Sequence, residues 1–437
     1  MSWINFFEEK IEKKYIFGRG TNANLSKQEE ELFNNSSNAF ENKNIIDAYE
    51  YFLNSLQNYT DNDPNKNILI SKEDNQLTFT LYQGGAKITG KITEKNFYAE
   101  VILVKKSDAN VALKRYVLER NYQLTYAYYF SDEEFIKLKL FHDNSTMSPQ
   151  KIFFPIRELA LNADFDKEHI RSEFNNIQLQ DINHLNKMDS DELRIKYTAL
   201  QKWIVDLDSK VSTLPSNDNA GMQAFLYLNL LLKIDYLLVP KYIIGQKLSK
   251  KIQAYFNEEN SSVEAKNEEL KHFVNKLKIL TFEEFSQNFY IAKYTFNPIE
   301  KTSIEEINNF INESLSKIRW YKNNRYNQII HTIYRYIAFY ILYSYGVNRV
   351  IRALLHLLIE IQNSLFFHTI GYKNLYNVEN QTFSKRQIIS KINTIIDENK
   401  ERYVELNTFS NELNFGTFNE FSNSFYIQIQ QLNFEEI

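Results

Sequence analysis

The chain has 437 residues, more than one ordinary hydrophobic core supports, so the sequence predicts two or three domains. Hydrophobic residues make up 43% and charged residues 24%, as in a folded soluble protein, and the net charge of −4 gives no overall attraction to nucleic acid. Because the chain has no cysteine, disulfides, thiolate catalysis and cysteine-based metal sites are excluded, and a cytoplasmic location is favoured.

The first 43 residues are predicted to form an amphipathic helix followed by a polar linker. Trp3, Phe7, Ile11 and Tyr15 recur every four residues, which is the spacing of one helix face. Acidic and basic residues interrupt this run, so it is not expected to act as a secretory signal. The aromatic face could pack on its own chain, on a second copy or in a partner groove, which makes Trp3 and Phe7 candidate protein-binding residues.

Residues 44–174 are predicted to form an α+β module. A helical stripe at 45–56 is followed by a short apolar run at 67–71 and by three strands in which apolar and polar residues alternate. This alternation is typical of an antiparallel sheet with one covered face, and Gly84 and Gly85 supply a hairpin turn. The remaining predicted elements are a helix at 111–121 with Asp108 as its N-cap, strands at 124–130 and 135–141, and a helix from 148 towards 163 in which Pro155 implies a break or a late start.

One run within this module, 113–169, follows a known order of elements. Its helix ends at 117–121, an aromatic strand follows at 124–130, and then come an acidic turn at 132–134, a second strand and a helix that ends near Ala163–Asp164. This order resembles the second half of the type III secretion chaperone-like fold, the group that includes YbjN-like proteins. The resemblance implies a module that binds protein segments and often dimerises, and it brings no catalytic residues.

The sheet of this module is the predicted binding surface. Alternate residues of a strand point to one face, so one set of side chains is expected to meet a partner. An extended or helical protein segment would bind to that face or to the edge of the sheet. The expected partner is another protein, or a second copy of this chain in a homodimer, and the candidate contact residues are Leu77, Phe79, Tyr126, Tyr128 and Phe130.

Residues 175–437 are predicted to form a mainly α-helical domain, because strand signals fade after 166 and helical stripes follow one another. A membrane span needs about 20 mostly apolar residues without charge. The most apolar long stretch, 329–367, is interrupted by ionisable residues, so it is predicted to be a buried pair of core helices and no transmembrane segment is expected. These residues are His331, Arg335, Arg349, Arg352 and Glu360.

The segment 317–358 combines seven cationic side chains with interleaved tyrosines and has no acidic residue. Arginine and aromatic side chains can hold phosphate and stack on bases, so this segment supports a function in nucleic-acid association. The other interpretation is a helix pair whose tyrosines fill the core and whose arginines pair with acids elsewhere, such as Glu305, Glu306 and Glu313. The candidate anion-binding residues are Arg325, Arg335, Arg349 and Arg352.

Catalytic motifs do not occur in the sequence. It has no phosphate-binding glycine loop and no nucleophile elbow, and its seven histidines lack the close spacing of a metal site, although His331, His356 and His368 could meet in the fold. No catalytic, cofactor-binding or metal-binding residue is therefore predicted. The sequence favours a non-enzymatic cytoplasmic protein-binding protein, chaperone-like or an adaptor, within a larger assembly. The first alternative is a nucleic-acid-associated protein that uses helices 317–358, and the second is an enzyme with a dispersed site in the helical domain.

Overall fold

The computed structural model describes residues 15–18, 26–57, 66–174, 176–214, 220–257 and 262–436. In these residues an antiparallel six-stranded sheet with its helices is followed by a mainly helical region. The predicted fold class, an α+β module followed by a mainly α-helical domain, is confirmed. The predicted aromatic helix near the start of the chain, with Trp3 and Phe7, lies outside the described residues apart from its last two positions.

The first part of the chain contains four helices and six strands in the described residues. The helices are α1 (Lys27–Glu41), α2 (Ile45–Ser55), α3 (Val111–Asn121) and α4 (Pro149–Glu173). The strands are β1 (Ile68–Glu73), β2 (Gln76–Gln83), β3 (Ala86–Thr93), β4 (Asn96–Lys105), β5 (Tyr128–Ser131) and β6 (Phe135–Asp143). The short apolar run at 67–71 is therefore a strand, and the predicted strand at 124–130 begins later, at Tyr128.

All six strands pair antiparallel in the order β1-β2-β3-β4-β6-β5. The inner face packs against α2 and α4, whose apolar side chains Phe52, Ile156 and Leu159 are fully buried. The outer face carries the alternating polar and aromatic residues. One covered face and one open face is the arrangement that the period-two pattern predicts.

Helix α1 corrects the prediction of a polar linker up to residue 43. The Ser26 side chain accepts the Glu29 N–H, and the Glu29 carboxylate in turn accepts the Ser26 N–H, which is a capping box at the helix start. Phe40 then packs edge-on against Tyr49 of α2, with ring centroids 5.1 Å apart. The Ser36 hydroxyl also donates to Ala48 O at 2.7 Å, so buried contacts with α2 stabilise a helix whose composition is mostly polar.

Helix α4 corrects the prediction of a break at Pro155. The helix runs without interruption from Pro149 to Glu173. Proline removes one backbone hydrogen bond, but Ile152, Ile156 and Leu159 are all fully buried against the sheet. Tertiary packing of an amphipathic face supplies most helical stability in proteins, so this packing outweighs the lost bond.

In the described residues, the second part of the chain consists of packed helices with four two-residue strands. The helices are α5 (Ser190–Ser212), α6 (Ala220–Leu238), α7 (Tyr242–Phe256), α8 (Val263–Lys278), α9 (Phe282–Ser286), α10 (Ile304–Asn323), α11 (Asn327–Ser344), α12 (Arg349–Gln362), α13 (Ser364–Thr369), α14 (Lys385–Asp397) and α15 (Phe418–Gln430). The strands are β7 (Asn186–Lys187), β8 (Tyr290–Ile291), β9 (Tyr376–Asn377) and β10 (Thr382–Phe383). Within the described ranges, none of the helices combines the length and the apolarity that crossing a bilayer requires.

Two hydrophobic cores result, one beneath the sheet and one among the helices. The segment after β8 joins them, because Phe296 belongs to the core beneath the sheet although it lies beyond the predicted boundary at residue 175. The buried Gln83 side-chain oxygen accepts the N–H groups of Thr295 and Phe296 at 3.0 and 2.8 Å. The helical part of the chain thus completes the core of the sheet module.

Candidate functional site

Four exposed aromatic side chains lie at the β5 end of the sheet. Tyr126, Tyr128 and Phe130 occupy alternate positions along β5 and its approach, and Phe141 lies on the neighbouring strand β6. Their side chains are 41–51% exposed. We call these four residues the aromatic face. Exposed apolar residues that cluster at one end of a sheet can mark an interaction site.

The ammonium groups of two lysines lie close to these rings. The Lys139 Nζ atom lies 3.9 Å from the centroid of the Phe130 ring, which is close enough for a cation–π contact. Lys137 bridges the carboxylates of Glu100 and Asp132 at 3.1 and 3.0 Å. The charges at the margin of the aromatic face are thus largely paired, and the rings present apolar surface with a polar rim, as protein interfaces do.

At the start of the edge strand β5, beside the aromatic face, the backbone N–H groups are already hydrogen-bonded to side chains, so another strand cannot add there. The Glu158 carboxylate accepts the backbone N–H groups of Thr125, Tyr126 and Ala127 at 2.7–3.2 Å. The Asn121 side chain of α3 accepts the Tyr129 N–H at 2.7 Å. An added strand needs free edge donors, so a partner is expected at the face rather than at this edge.

The predicted contact residues divide between the two faces of the sheet. Tyr126, Tyr128 and Phe130 are 41–44% exposed at the β5 end of the sheet, and Tyr128 and Phe130 lie on its open face. Leu77 and Phe79 are wrong as contact residues, because they are 0% and 4% exposed on the inner face of β2. Alternation shows that two sets of residues exist, but it does not show which set faces the core. Phe141 was missed, although its alternation with buried Leu140 on β6 is the signal that could have identified it.

The four predicted anion-binding arginines have different surroundings. Arg349 pairs with the Glu29 carboxylate at 2.8 Å and thereby joins α12 to α1. Arg352 is partly buried next to Tyr236, and burial lowers its pKa. Arg325 is exposed in the turn between α10 and α11, whereas Arg335 lines a cavity of the helical domain. The structure does not combine them into one site.

Most of the interleaved tyrosines belong to the helical core. Tyr334 is fully buried, and Tyr336, Tyr340, Tyr343 and Tyr345 pack against the same core. The end of α10 is different, because Trp320 is 56% exposed and stacks on Tyr326 with ring centroids 6.2 Å apart. We call this end the basic tip, since its exposed residues include Lys317, Arg319, Trp320, Lys322, Arg325 and Tyr326.

Two of the three histidines that could have met in the fold, His331 and His356, have other partners. His331 Nδ1 lies 3.2 Å from the Asn419 side-chain oxygen, and His356 Nδ1 lies 2.9 Å from the Tyr236 hydroxyl. Burial lowers the pKa of both imidazoles to about 4, so they are neutral at pH 7. In the part of the chain that the structure describes, no three His, Asp or Glu side chains come together as metal ligands.

The chain has no match in the comparisons with protein-family models and with curated proteins. The role of the aromatic face can therefore be inferred only from its geometry. Its rings offer apolar contact area, and its lysines and carboxylates offer a hydrogen-bonding rim. This is the chemistry of non-covalent recognition.

Proposed function

We propose that this protein is a non-enzymatic, cytoplasmic protein-binding protein that acts as a chaperone or adaptor within a larger assembly. The observation that carries the proposal is the aromatic face, whose four rings are 41–51% exposed. The absence of cysteine fits a reducing compartment. The resemblance of this module to secretion chaperones supports the same function.

The partner that this face fits is a protein segment with apolar side chains flanked by carboxylates. The rings supply contact area at low entropic cost, which is why aromatic residues often dominate binding energy at interfaces. Lys91 is exposed next to Tyr98 on the same face, and Lys137 and Lys139 lie between the rings. Carboxylates on the partner would meet Lys91 at the margin of the aromatic face, since Lys137 and Lys139 already lie next to the carboxylates of Glu100 and Asp132.

The test is a comparison of two tyrosine variants in the native cells. Tyr128→Asp places a charge in the centre of the aromatic face, whereas Tyr122→Asp places one at a 93% exposed position outside it. We expect the partner that co-purifies with the wild-type chain and with Tyr122→Asp to bind Tyr128→Asp about tenfold or more weakly. Equal recovery with both variants, at unchanged circular dichroism, would contradict the proposal.

A second copy of the chain is one specific occupant of the aromatic face. Light scattering after size exclusion distinguishes this case, because a wild-type dimer would become a monomer in Tyr128→Asp and remain a dimer in Tyr122→Asp. In that case the protein recognised is the chain itself. A heterologous partner would instead leave the purified chain at the same mass in all three proteins.

The basic tip favours a second candidate function, the association with nucleic acid. Trp320 and Tyr326 could stack on bases while Lys317, Arg319, Lys322 and Arg325 contact phosphates, and stacking of a base contributes about 1–3 kcal/mol. Anisotropy of a labelled single-stranded oligonucleotide should then show binding that falls steeply with salt and that Trp320→Ala weakens. Unmeasurable binding at low salt would remove this candidate.

A further inference from the structure

A cavity of about 640 Å³ lies in the helical domain, far in sequence from the aromatic face. Its walls come from α5, α6, α11, α12 and α13, with Val378 after β9. This volume is in the range of small-molecule sites in proteins, which are commonly about 300–1,000 Å³. The side chains that matter for its chemistry are Trp203, Lys233, Arg335, Gln362 and Phe366.

Two cations face this cavity without carboxylate partners. In the described residues, no Asp or Glu oxygen lies within ion-pair distance of Lys233 or Arg335, and the Arg335 Nε atom is buried without a hydrogen-bond partner. Arg194 and Lys202 add positive charge at the rim. Asp206 is the one carboxylate among the described lining residues, and its charge raises the pKa of both Lys233 and Arg335 without an ion pair to either, so it balances only part of the positive charge. The cavity is therefore positively charged.

This arrangement is costly when the cavity holds no anion. A cation that is removed from water needs a counter-charge or hydrogen bonds. Burial, followed by the charge of Arg335, lowers the pKa of Lys233 well below its usual value, and burial lowers the pKa of Arg335 to about 10. The Lys233 Nζ atom lies 3.9 Å from the Trp203 ring centroid, a cation–π contact that compensates in part. An anionic ligand would supply the missing charge.

The remaining lining residues specify more than charge. Trp203 and Phe366 form an apolar wall, with ring centroids 5.3 Å apart. The side-chain nitrogen of Gln362 donates to Tyr334 O and to Ser422 Oγ, both at 3.3 Å, whereas its oxygen is buried without a donor in the described residues. A ligand that fits would thus combine an anionic group with an apolar body.

We propose that this cavity binds a small phosphorylated organic molecule, with the phosphate at Lys233 and Arg335 and the apolar body against Trp203 and Phe366. A phosphate dianion matches the cluster of cations better than a carboxylate does, and both lysine and arginine bind phosphate in proteins. The site is independent of the aromatic face. A ligand here would make the helical domain a metabolite-responsive part of the protein.

The first measurement uses phenyl phosphate, inorganic phosphate and benzoate as probes on the full-length chain. Trp3→Phe and Trp320→Phe together leave Trp203 as the one tryptophan of the chain, so its fluorescence reports on the cavity. We expect phenyl phosphate to quench this fluorescence and to bind about tenfold or more tightly than benzoate or inorganic phosphate, because it alone offers both the dianion and the ring. Tighter binding of benzoate would overturn the phosphate assignment.

Calorimetry with variants then locates the site. Lys233→Met and Arg335→Gln should each weaken phenyl phosphate binding about tenfold or more, since each loses a charged hydrogen bond. Lys251→Met is the matched control, because Lys251 pairs with Glu269 at 2.8 Å outside the cavity. Arg335→Lys keeps the charge and should retain part of the affinity.

Thermal unfolding distinguishes a variant that has lost phenyl phosphate binding from one that has failed to fold. Both cavity variants are expected to unfold at the same temperature as the wild-type chain or above it without ligand, because an unpaired cation has been removed. Phenyl phosphate should raise the unfolding temperature of the wild-type chain and of Lys251→Met, and not that of Lys233→Met. The proposal is overturned if the wild-type chain does not bind phenyl phosphate at millimolar concentrations, or if the cavity variants bind it equally well.

Discussion

At the scale of single residues, Asp164 and Gly84 fix the hairpin turn that meets the helical part of the chain. Its carboxylate on α4 accepts the Gly85 N–H at 2.7 Å, in the hairpin turn between β2 and β3. Gly84, the neighbouring turn residue, has φ +53° and donates its N–H to Lys293 O at 2.8 Å. A Cβ atom at Gly84 would lie 2.2 Å from the Asp164 carboxylate oxygen, so glycine is required by space as well as by conformation.

The ionisation of Asp164 should make the stability of the fold depend on pH. Burial, followed by the charge of Glu168, raises its pKa from 3.8 to about 7. The folded chain therefore binds this proton more tightly than the unfolded chain, so stability is lost as the pH rises from about 4 to 7. Asp164→Asn keeps an oxygen acceptor for Gly85 and removes the charge. We expect it to raise the free energy of unfolding at pH 8, relative to wild type, by at most about 4 kcal/mol.

Urea unfolding at pH 4 and pH 8 measures this effect, and the gain should be small at pH 4. Asp143→Asn is the opposite control, because hydrogen bonds from Ser145 lower the pKa of the exposed Asp143. Its ionised form is the one that the fold favours, so this variant should gain nothing at pH 8. A gain for Asp164→Asn that is equal at both pH values would show that its charge is not the cause.

At the scale of the elements, Glu158 determines how β5 begins. Its carboxylate on α4 accepts three successive backbone N–H groups, from Thr125 to Ala127. Glu158→Ala should leave these donors without a partner and lower the free energy of unfolding by about 1–3 kcal/mol. Hydrogen exchange should show faster exchange of these three amides, with little change in α10.

Glu158→Gln is the conservative control, because it keeps the side-chain oxygen that accepts from Tyr126 and Ala127 at 2.7 and 2.9 Å. Most of the protection should therefore remain in this variant. The Glu158→Ala variant should also weaken partner binding, since the same backbone carries Tyr126. Unchanged exchange of Thr125, Tyr126 and Ala127 in Glu158→Ala would contradict this role.

The elements also show what could be predicted from the sequence. Alternation and helical spacing predicted the strands of the sheet and most helices, because these patterns are local. The side of the sheet that Leu77 would face was not predictable, since it depends on where α2 and α4 pack. The proximity of Lys233 and Arg335 was also not predictable from the sequence, because residues about a hundred positions apart meet only through the packing of α6 on α11. Helix α1 was missed although its capping signal, Ser26 and Glu29, is in the sequence.

At the scale of the whole molecule, the two cores depend on each other through the segment 292–300. Phe296 is 2% exposed and packs edge-on against Phe153 of α4, with ring centroids 5.7 Å apart. Arg157 of the same helix donates to Asn297 O at 3.0 Å. The sheet module is thus completed by residues that follow it by more than a hundred positions.

Removal of the Phe296 ring should therefore weaken the sheet module from outside it. Phe296→Ala leaves a cavity beneath the sheet and is expected to lower the free energy of unfolding by about 3–5 kcal/mol. Phe165→Ala, at a 51% exposed position of α4, is the matched control and should cost much less. Hydrogen exchange locates the effect, because amides of β2 and β3 should lose protection before those of α11 and α12. Equal unfolding temperatures for the two variants would show that the segment 292–300 does not stabilise the core of the sheet module.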